Sequence, residues 1–177
     1  MSRLRRPPGP DDRFQGPRDA PVILVEYGDY QCPYRGEAYG EVKQLQELLG
    51  SRMGLVFRDF PLTQSHPQSL QAAEAASAAD AQGRFWEMHD LLFEHQDMLE
   101  RPGLLELAEM LTLDLDRFRA DLDSHRFEAR VHRDFMDGVR SGVNGTPTFF
   151  ANGHRHDGPF DADFLLDALT GGLGASR

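Results

Sequence analysis

The sequence predicts an α/β layered domain interrupted by a helical insertion, and three observations carry that prediction. A continuous apolar run, Val22-Ile23-Leu24-Val25, reads as a strand buried on both faces. Strand signals then vanish between about Ser65 and Arg140, where every apolar stretch has helical spacing. They resume at Thr148-Phe149-Phe150-Ala151, just before Asn152-Gly153, a strong type I′ hairpin turn. Helices laid on a sheet that contains parallel strands give the α/β class.

Met1 to Asp19 combines Arg3, Arg5, Arg6, Arg13 and Arg18 with Pro7, Pro8, Pro10 and Pro17. Such a composition buries no core, so residues 1–19 are expected to form an extended or disordered basic tail, either a solvated leader or an arm for an anionic partner. After the first strand, Pro33 suits a first helical position, and Ala38, Val42, Leu45 and Leu49 follow at helical spacing to Gly50. Cys32 is therefore expected at a helix N-terminus. A second strand, Leu55-Val56-Phe57, runs into Arg58-Asp59-Phe60-Pro61. The helical block divides into Leu70 to Ala81, Phe85 to His95, Leu104 to Leu111, Leu115 to Leu122 and Phe127 to Val139. A last helix runs from about Asp161 to Gly171-Gly172.

The chain has 177 residues, 40% of them hydrophobic and 27% charged, enough to bury a core without staples. Its only cysteine is Cys32, which excludes an internal disulfide framework and a four-cysteine zinc module. A formal charge of −10 argues against generalised attraction to nucleic acid or anionic membrane. No apolar run approaches the ~18 residues of a membrane span, and the first residues lack the apolar centre of a secretory signal. No nucleic-acid or membrane partner is expected, the cytoplasm is the expected compartment, and nothing in the sequence sets the oligomeric state.

Cysteines in the first turn of a helix feel unpaired N–H groups and the positive end of the macrodipole, which lower thiol pKa from ~8.5 to roughly 3.5–7.5. Position alone leaves the alternative of an inert, small hydrophobe open. His154-Arg155-His156 offers two imidazoles but no third ligand, His66 and His89 are expected to pack or cap, and no metal site is assigned. Phe85, Trp86, Phe93, Phe127 and Phe135 are core residues, and no glycine-rich phosphate loop is present.

The segment Val25-Glu26-Tyr27-Gly28-Asp29-Tyr30-Gln31-Cys32-Pro33-Tyr34 resembles the active-site entry of DsbA-like thioredoxin-fold oxidoreductases, whose motif is strand, short loop and Cys-Pro-x-Cys. Gly142 to Gly153 is similar to the family's Val-x-Gly-Thr-Pro-Thr-x-x-x-Asn-Gly segment, and Arg84 to Phe93 resembles its helical insertion. The resemblance spans about residues 20–170. It implies a thioredoxin-like domain over 20–62 and 141–172, a helical insertion over 63–140 and a short tail over 173–177. It further implies a cis bond between Thr146 and Pro147 facing the catalytic cysteine, with the Thr146 backbone edge free to pair with an extended substrate. Pro33 and Tyr34 belong to the same implied substrate-binding surface. Glu26 matches the family's buried acid, which either relays protons to the sulfur or merely caps strand polarity.

One departure decides the chemistry. Arg35 stands where dithiol members have their second cysteine, so no internal resolving thiol exists. Cys32 can form only a mixed disulfide or an oxidised sulfur species, released by an external thiol. Arg35 either activates the thiolate as a nearby cation, clamps the carboxylate of a thiol tripeptide such as glutathione, or has drifted without a role. The expected function is single-cysteine thiol–disulfide exchange, as deglutathionylation or disulfide isomerisation. Cys32 would be the nucleophile, supported by Glu26 and Arg35. The expected partners are thiol- or disulfide-containing proteins or small molecules, with no bound cofactor and with glutathione or another low-molecular-weight thiol as co-substrate. A glutathione-using isomerase or transferase, and a non-enzymatic redox-sensing or peptide-binding module, are the alternatives.

Overall fold

The computed structural model describes residues 2–171, apart from the side chain of Arg35. The expected tail over 173–177 lies outside the described residues. Five strands form one mixed sheet: β1 (Arg13–Gln15), β2 (Val22–Gly28), β3 (Met53–Asp59), β4 (Thr148–Ala151) and β5 (His154–His156), in the order β1-β3-β2-β4-β5. Strand β2 is central. It pairs in parallel with β3, Val25 beside Val56, and antiparallel with β4, Glu26 beside Phe149.

Between β2 and β3 runs α1 (Arg35–Leu49), followed by a single 3-10 turn over Gly50–Arg52. Five helices separate β3 from β4: α2 (Ser69–Asp80), α3 (Phe85–Glu94), α4 (Arg101–Met110), α5 (Leu115–Asp123) and α6 (Glu128–Arg140). Strand β5 leads into α7 (Ala162–Thr170). Asn152 and Gly153 close the β4–β5 hairpin with φ of 49° and 83°, the pair of positive angles a type I′ turn requires.

The period-2 alternation of the central strands sorts their side chains between two layers. Val22 and Leu24 of β2, Met53 and Leu55 of β3, and Phe149 and Ala151 of β4 face α1 and α7, meeting Val42, Leu45, Leu165 and Leu169. Val25, Tyr27, Val56 and Phe150 face the opposite way, toward Phe60 and Val143. The insertion has its own core, in which Ala72, Ala75, Ala76, Ala78 and Ala79 of α2 are buried beside Phe85, Met88, Leu92 and Phe118. Small side chains around α2 let its neighbours approach closely, so this helix is buried around most of its circumference rather than along one stripe, with Glu74 and Ser77 buried among the alanines.

The expectation of a disordered tail over residues 1–19 is corrected. Strand β1 pairs antiparallel with β3, and Arg3 forms an isolated bridge with His154. The arm's charges find buried partners: Arg13 donates to Asp59 Oδ2 at 3.0 Å and Ser77 Oγ at 2.6 Å, and Arg6 pairs with Asp134 at 2.9 Å. Fully buried Arg58 grips both carboxylate oxygens of Asp12 at 2.9 Å and donates to Arg6 O and Tyr27 Oη. Burial by itself would pull the Arg58 pKa down, but the paired Asp12 carboxylate outweighs it and holds the guanidinium above its ordinary value. Composition predicts disorder here because the segment has little apolar area of its own. Carboxylates about 46 to 128 residues away supply the anchors instead.

Candidate active site around Cys32

Strand β2 delivers the chain to a loop over residues 29–34, and that loop is held from several directions. Asp29 is buried, and its backbone carbonyl accepts the Cys32 N–H at 3.1 Å, closing a turn. Its carboxylate accepts the Gln31 N–H at 2.8 Å, an Asx turn, and the Leu62 N–H at 2.9 Å. His66 Nδ1 lies 2.8 Å from the same carboxylate. Tyr30 is driven into the insertion's core, its ring packed on Phe57 and Phe93 and its hydroxyl 3.0 Å from His89 Nδ1. Gln31 exchanges two hydrogen bonds with Gln68, at 2.9 and 2.7 Å. Gln96 donates to the carbonyls of both Tyr30 and Cys32, at 2.9 and 3.0 Å.

Helix α1 begins at Arg35 with Tyr34 as its N-cap, which corrects the placement of Pro33 in the first helical position. The first helical bond runs from Ala38 N–H to Tyr34 O. The Asp29 turn closes on Cys32, and α1 starts three residues later. Cys32 therefore stands just before the helix rather than inside its first turn. It is 3% exposed, whereas Pro33 and Tyr34 are exposed, Tyr34 at 65%.

Thr146 and Pro147 arrive from the start of β4, and their peptide bond is cis. The Cys32 thiol donates to the Thr146 carbonyl, Sγ to O 3.5 Å. The fold thus brings together Cys32 and Thr146, which the sequence separates by 114 positions. Thr148 Oγ1 donates to Gly145 O at 2.7 Å and tightens the turn that presents this carbonyl.

Glu26 is buried in the middle of β2, flanked by Phe57 on β3 and Phe149 on β4. By the strand alternation it shares the face of Val22 and Leu24, the face α1 covers. Arg35 opens α1, three residues after Cys32, and its side chain lies outside the described residues.

His154 and His156 lie on β5 at the sheet edge, and His156 Nε2 is 2.6 Å from Pro159 O. Among the described residues one group has ligand-like spacing, Glu74, His125 and Glu128, with their donor atoms all within 4.8 Å of one another. His125 Nδ1 already lies 3.0 Å from Glu74 Oε1, and this contact holds the two together.

Sequence reasoning passed over Asp29, Gln31, Gln68 and Gln96 as site residues and expected His66 only to pack or cap. The Asp-Tyr-Gln run before Cys32 is an Asx-turn signal that would have found the first two. Gln96 carries no local signal, because its partners lie 66 and 64 residues upstream.

Comparison with known proteins agrees with this geometry. A family model described as thioredoxin matches residues 9–170. A solved thioredoxin-like oxidoreductase from Silicibacter pomeroyi is 27% identical and superposes with a TM-score of 0.81 over 95% of each chain. Oxidised BdbD from Bacillus subtilis is 25% identical, with a TM-score of 0.80 over 93% of this chain and 94% of that one. Wolbachia pipientis α-DsbA1, 20% identical with a TM-score of 0.79, shares the fold over 94% of this chain and 93% of its own.

Curated relatives include a protein named Na(+)/H(+) antiporter NhaA 3 from Salinispora tropica, 48% identical over 175 residues, 98% of this chain and 27% of that protein. Another, named Na(+)/H(+) antiporter NhaA 1 from a Mycobacterium species, is 44% identical over 96% of this chain and 28% of its own length. The chain spans about a quarter of the length of these relatives. Among the described residues no helix is long and apolar enough to cross a membrane. With its family match over residues 9–170, its DsbA-like fold and a single cysteine at the motif position, the chain belongs to the thioredoxin family.

Proposed function

We propose that the protein is a single-cysteine thiol–disulfide exchange enzyme that works through a mixed disulfide on Cys32. The observation that carries this reading is the approach of Cys32 Sγ to the Thr146 carbonyl in a chain with no second cysteine. The Cys32 thiolate attacks one sulfur of a substrate disulfide, forming a Cys32 mixed disulfide and expelling the other sulfur as a thiolate. An external thiolate then attacks the mixed disulfide, regenerating Cys32 and leaving with the substrate's sulfur as a new disulfide. Two thiol–disulfide exchanges balance without an added oxidant. With glutathione as the external thiol and a glutathionylated protein as substrate, the sequence is deglutathionylation.

Glu26 is the proposed proton relay, buried on the sheet face that α1 covers. Arg35 is the proposed cation beside the sulfur or the clamp for a glutathione carboxylate, and Pro33, Tyr34, Thr146 and Pro147 are the proposed substrate surface. Near-complete burial of Cys32 favours a flexible or extended disulfide over one set in a rigid surface.

The test is intact mass after incubation with oxidised glutathione, followed by removal of free thiol. One glutathione per chain is expected on the native protein and none on Cys32→Ser. The native adduct should persist, while Arg35→Cys should release it internally. Equal decay in both proteins sinks the single-thiol mechanism, and the absence of any adduct leaves a binding or sensing module.

A further inference from the structure

We propose that Gln96, a residue of the helical insertion, is a positioning residue for the Cys32 sulfur. This rests on Cys32 being the nucleophile. Gln96 follows α3, and its side-chain amide spans the gap to the loop, donating one N–H to Tyr30 O at 2.9 Å and one to Cys32 O at 3.0 Å. Both donors of the amide are thereby used. Its Oε1 faces Gly36 in the first turn of α1, where a Cβ would stand 3.8 Å away. One side chain therefore ties the end of α3 to the carbonyls of Tyr30 and Cys32, beside the start of α1.

The consequence is electrostatic. A thiolate is stabilised by N–H groups pointing at it and destabilised by carbonyl oxygens. The carbonyls nearest in sequence to Sγ belong to the loop itself, and a loop free to rotate its peptide units can turn them toward the sulfur. Gln96 holds the Tyr30 and Cys32 carbonyls, leaving Thr146 O as the carbonyl that the sulfur meets, at 3.5 Å. The other ties to the loop do different work. Asp29, with Leu62 and His66, fixes where the loop leaves β2; Tyr30, with His89, anchors it in the core; and Gln31, with Gln68, secures the side chain between. Among the described residues Gln96 is the one in the insertion that hydrogen-bonds the backbone of Cys32, so the insertion sets the nucleophile's environment as well as covering it.

The rate of Cys32 alkylation by iodoacetamide, measured from about pH 4 to 10, separates thiolate stability from access, because the midpoint reports the first and the alkaline plateau the second. Native protein is compared with Gln96→Met, which keeps the length and removes the donors, and with the near-isosteric Gln96→Glu, which replaces them by a charged acceptor. Circular dichroism checks that each is folded. The midpoint should rise by about 0.5 to 1 unit in Gln96→Met, slowing the acid limb roughly 3- to 10-fold with a plateau within about twofold of native, and should rise further in Gln96→Glu. If Gln96→Met fails to fold, the shift in Gln96→Glu decides. Superimposable midpoints, or an equal fall of limb and plateau, overturn the positioning role. A native midpoint at the free-cysteine value of ~8.5 breaks the underlying nucleophile reading instead.

Discussion

Cys32 Sγ lies 3.5 Å from the carbonyl oxygen of Thr146, with the sulfur as donor. The contact exists because β2 and β4 are neighbours in the sheet, Tyr27 beside Thr148, so the loop that leaves β2 and the turn that enters β4 emerge at the same end. A serine hydroxyl can make the same donation. Cys32→Ser is therefore expected to fold with a stability within about 1 kcal/mol of native while losing all disulfide exchange. Urea unfolding and a glutathionylated-peptide assay read the two separately.

Arg58 is among the largest fully buried side chains of the described residues, and it holds Asp12, Arg6 O and Tyr27 Oη together. Arg58→Ala removes the main partner of buried Asp12, leaving it the Gly9 N–H and the more distant Arg6, for an expected loss of about 2–4 kcal/mol in urea unfolding. Arg58→Met, which keeps much of the volume, should lose the same pairing with a smaller packing deficit. The N-terminal arm should become more accessible to protease in both variants.

Asp59 sets a pH dependence of stability. Burial pushes its pKa up to about 6, against the pull of Arg13 and with a further push from Asp134. A carboxylate whose folded pKa exceeds its unfolded value of ~3.9 binds more protons when folded between those values. Its contribution to stability is full below the unfolded pKa and is lost as pH rises through about 6. Asp134, raised mainly by burial, titrates in the same sense, with Arg6, Arg13 and Arg130 facing the pair. Between pH 4.5 and 7 the native protein should thus lose about 1–3 kcal/mol relative to Asp59→Asn. Parallel unfolding curves for the two proteins would contradict this.

Gly138 marks where α6 crosses the sheet. A Cβ there would stand 2.8 and 2.9 Å from the Phe60 ring and 3.0 Å from the Tyr27 ring. Gly138→Ala gains helix propensity but must displace two packed aromatics, and the expected balance is a loss of about 1–3 kcal/mol by thermal or urea unfolding. The same substitution at Gly40, which is open on all sides, should be neutral or stabilising.

Tyr30 ties the Cys32 loop to the insertion through the 3.0 Å contact between its hydroxyl and His89 Nδ1. Tyr30→Phe keeps the ring among Phe57 and Phe93 and removes the oxygen. An expected cost of about 1–2 kcal/mol reflects the loss of one buried hydrogen bond, with exchange activity retained because the ring still holds the loop.

Sequence alone determined the elements whose signals are local. Val22 to Val25 announced a strand buried on both faces, Asn152-Gly153 a hairpin, and the long stretch without strand signals an all-helical insertion, because periodicity and turn chemistry act over a few residues. The motif around Cys32 and the single cysteine also stood in the sequence, as did the family resemblance they carry. What only the tertiary structure decided are the contacts between distant segments. Arg6 and Arg13 order the N-terminal arm by reaching Asp134 and Asp59, and no property of the first nineteen residues contains those carboxylates. The start of α1 at Arg35, preceded by the turn that Asp29 closes on Cys32, is likewise seen only in the folded chain. Gln96 and His66 entered the site for the same reason. A polar side chain's partner is fixed by which elements the core brings together, and burial of the loop is what obliges each of its backbone groups to find one.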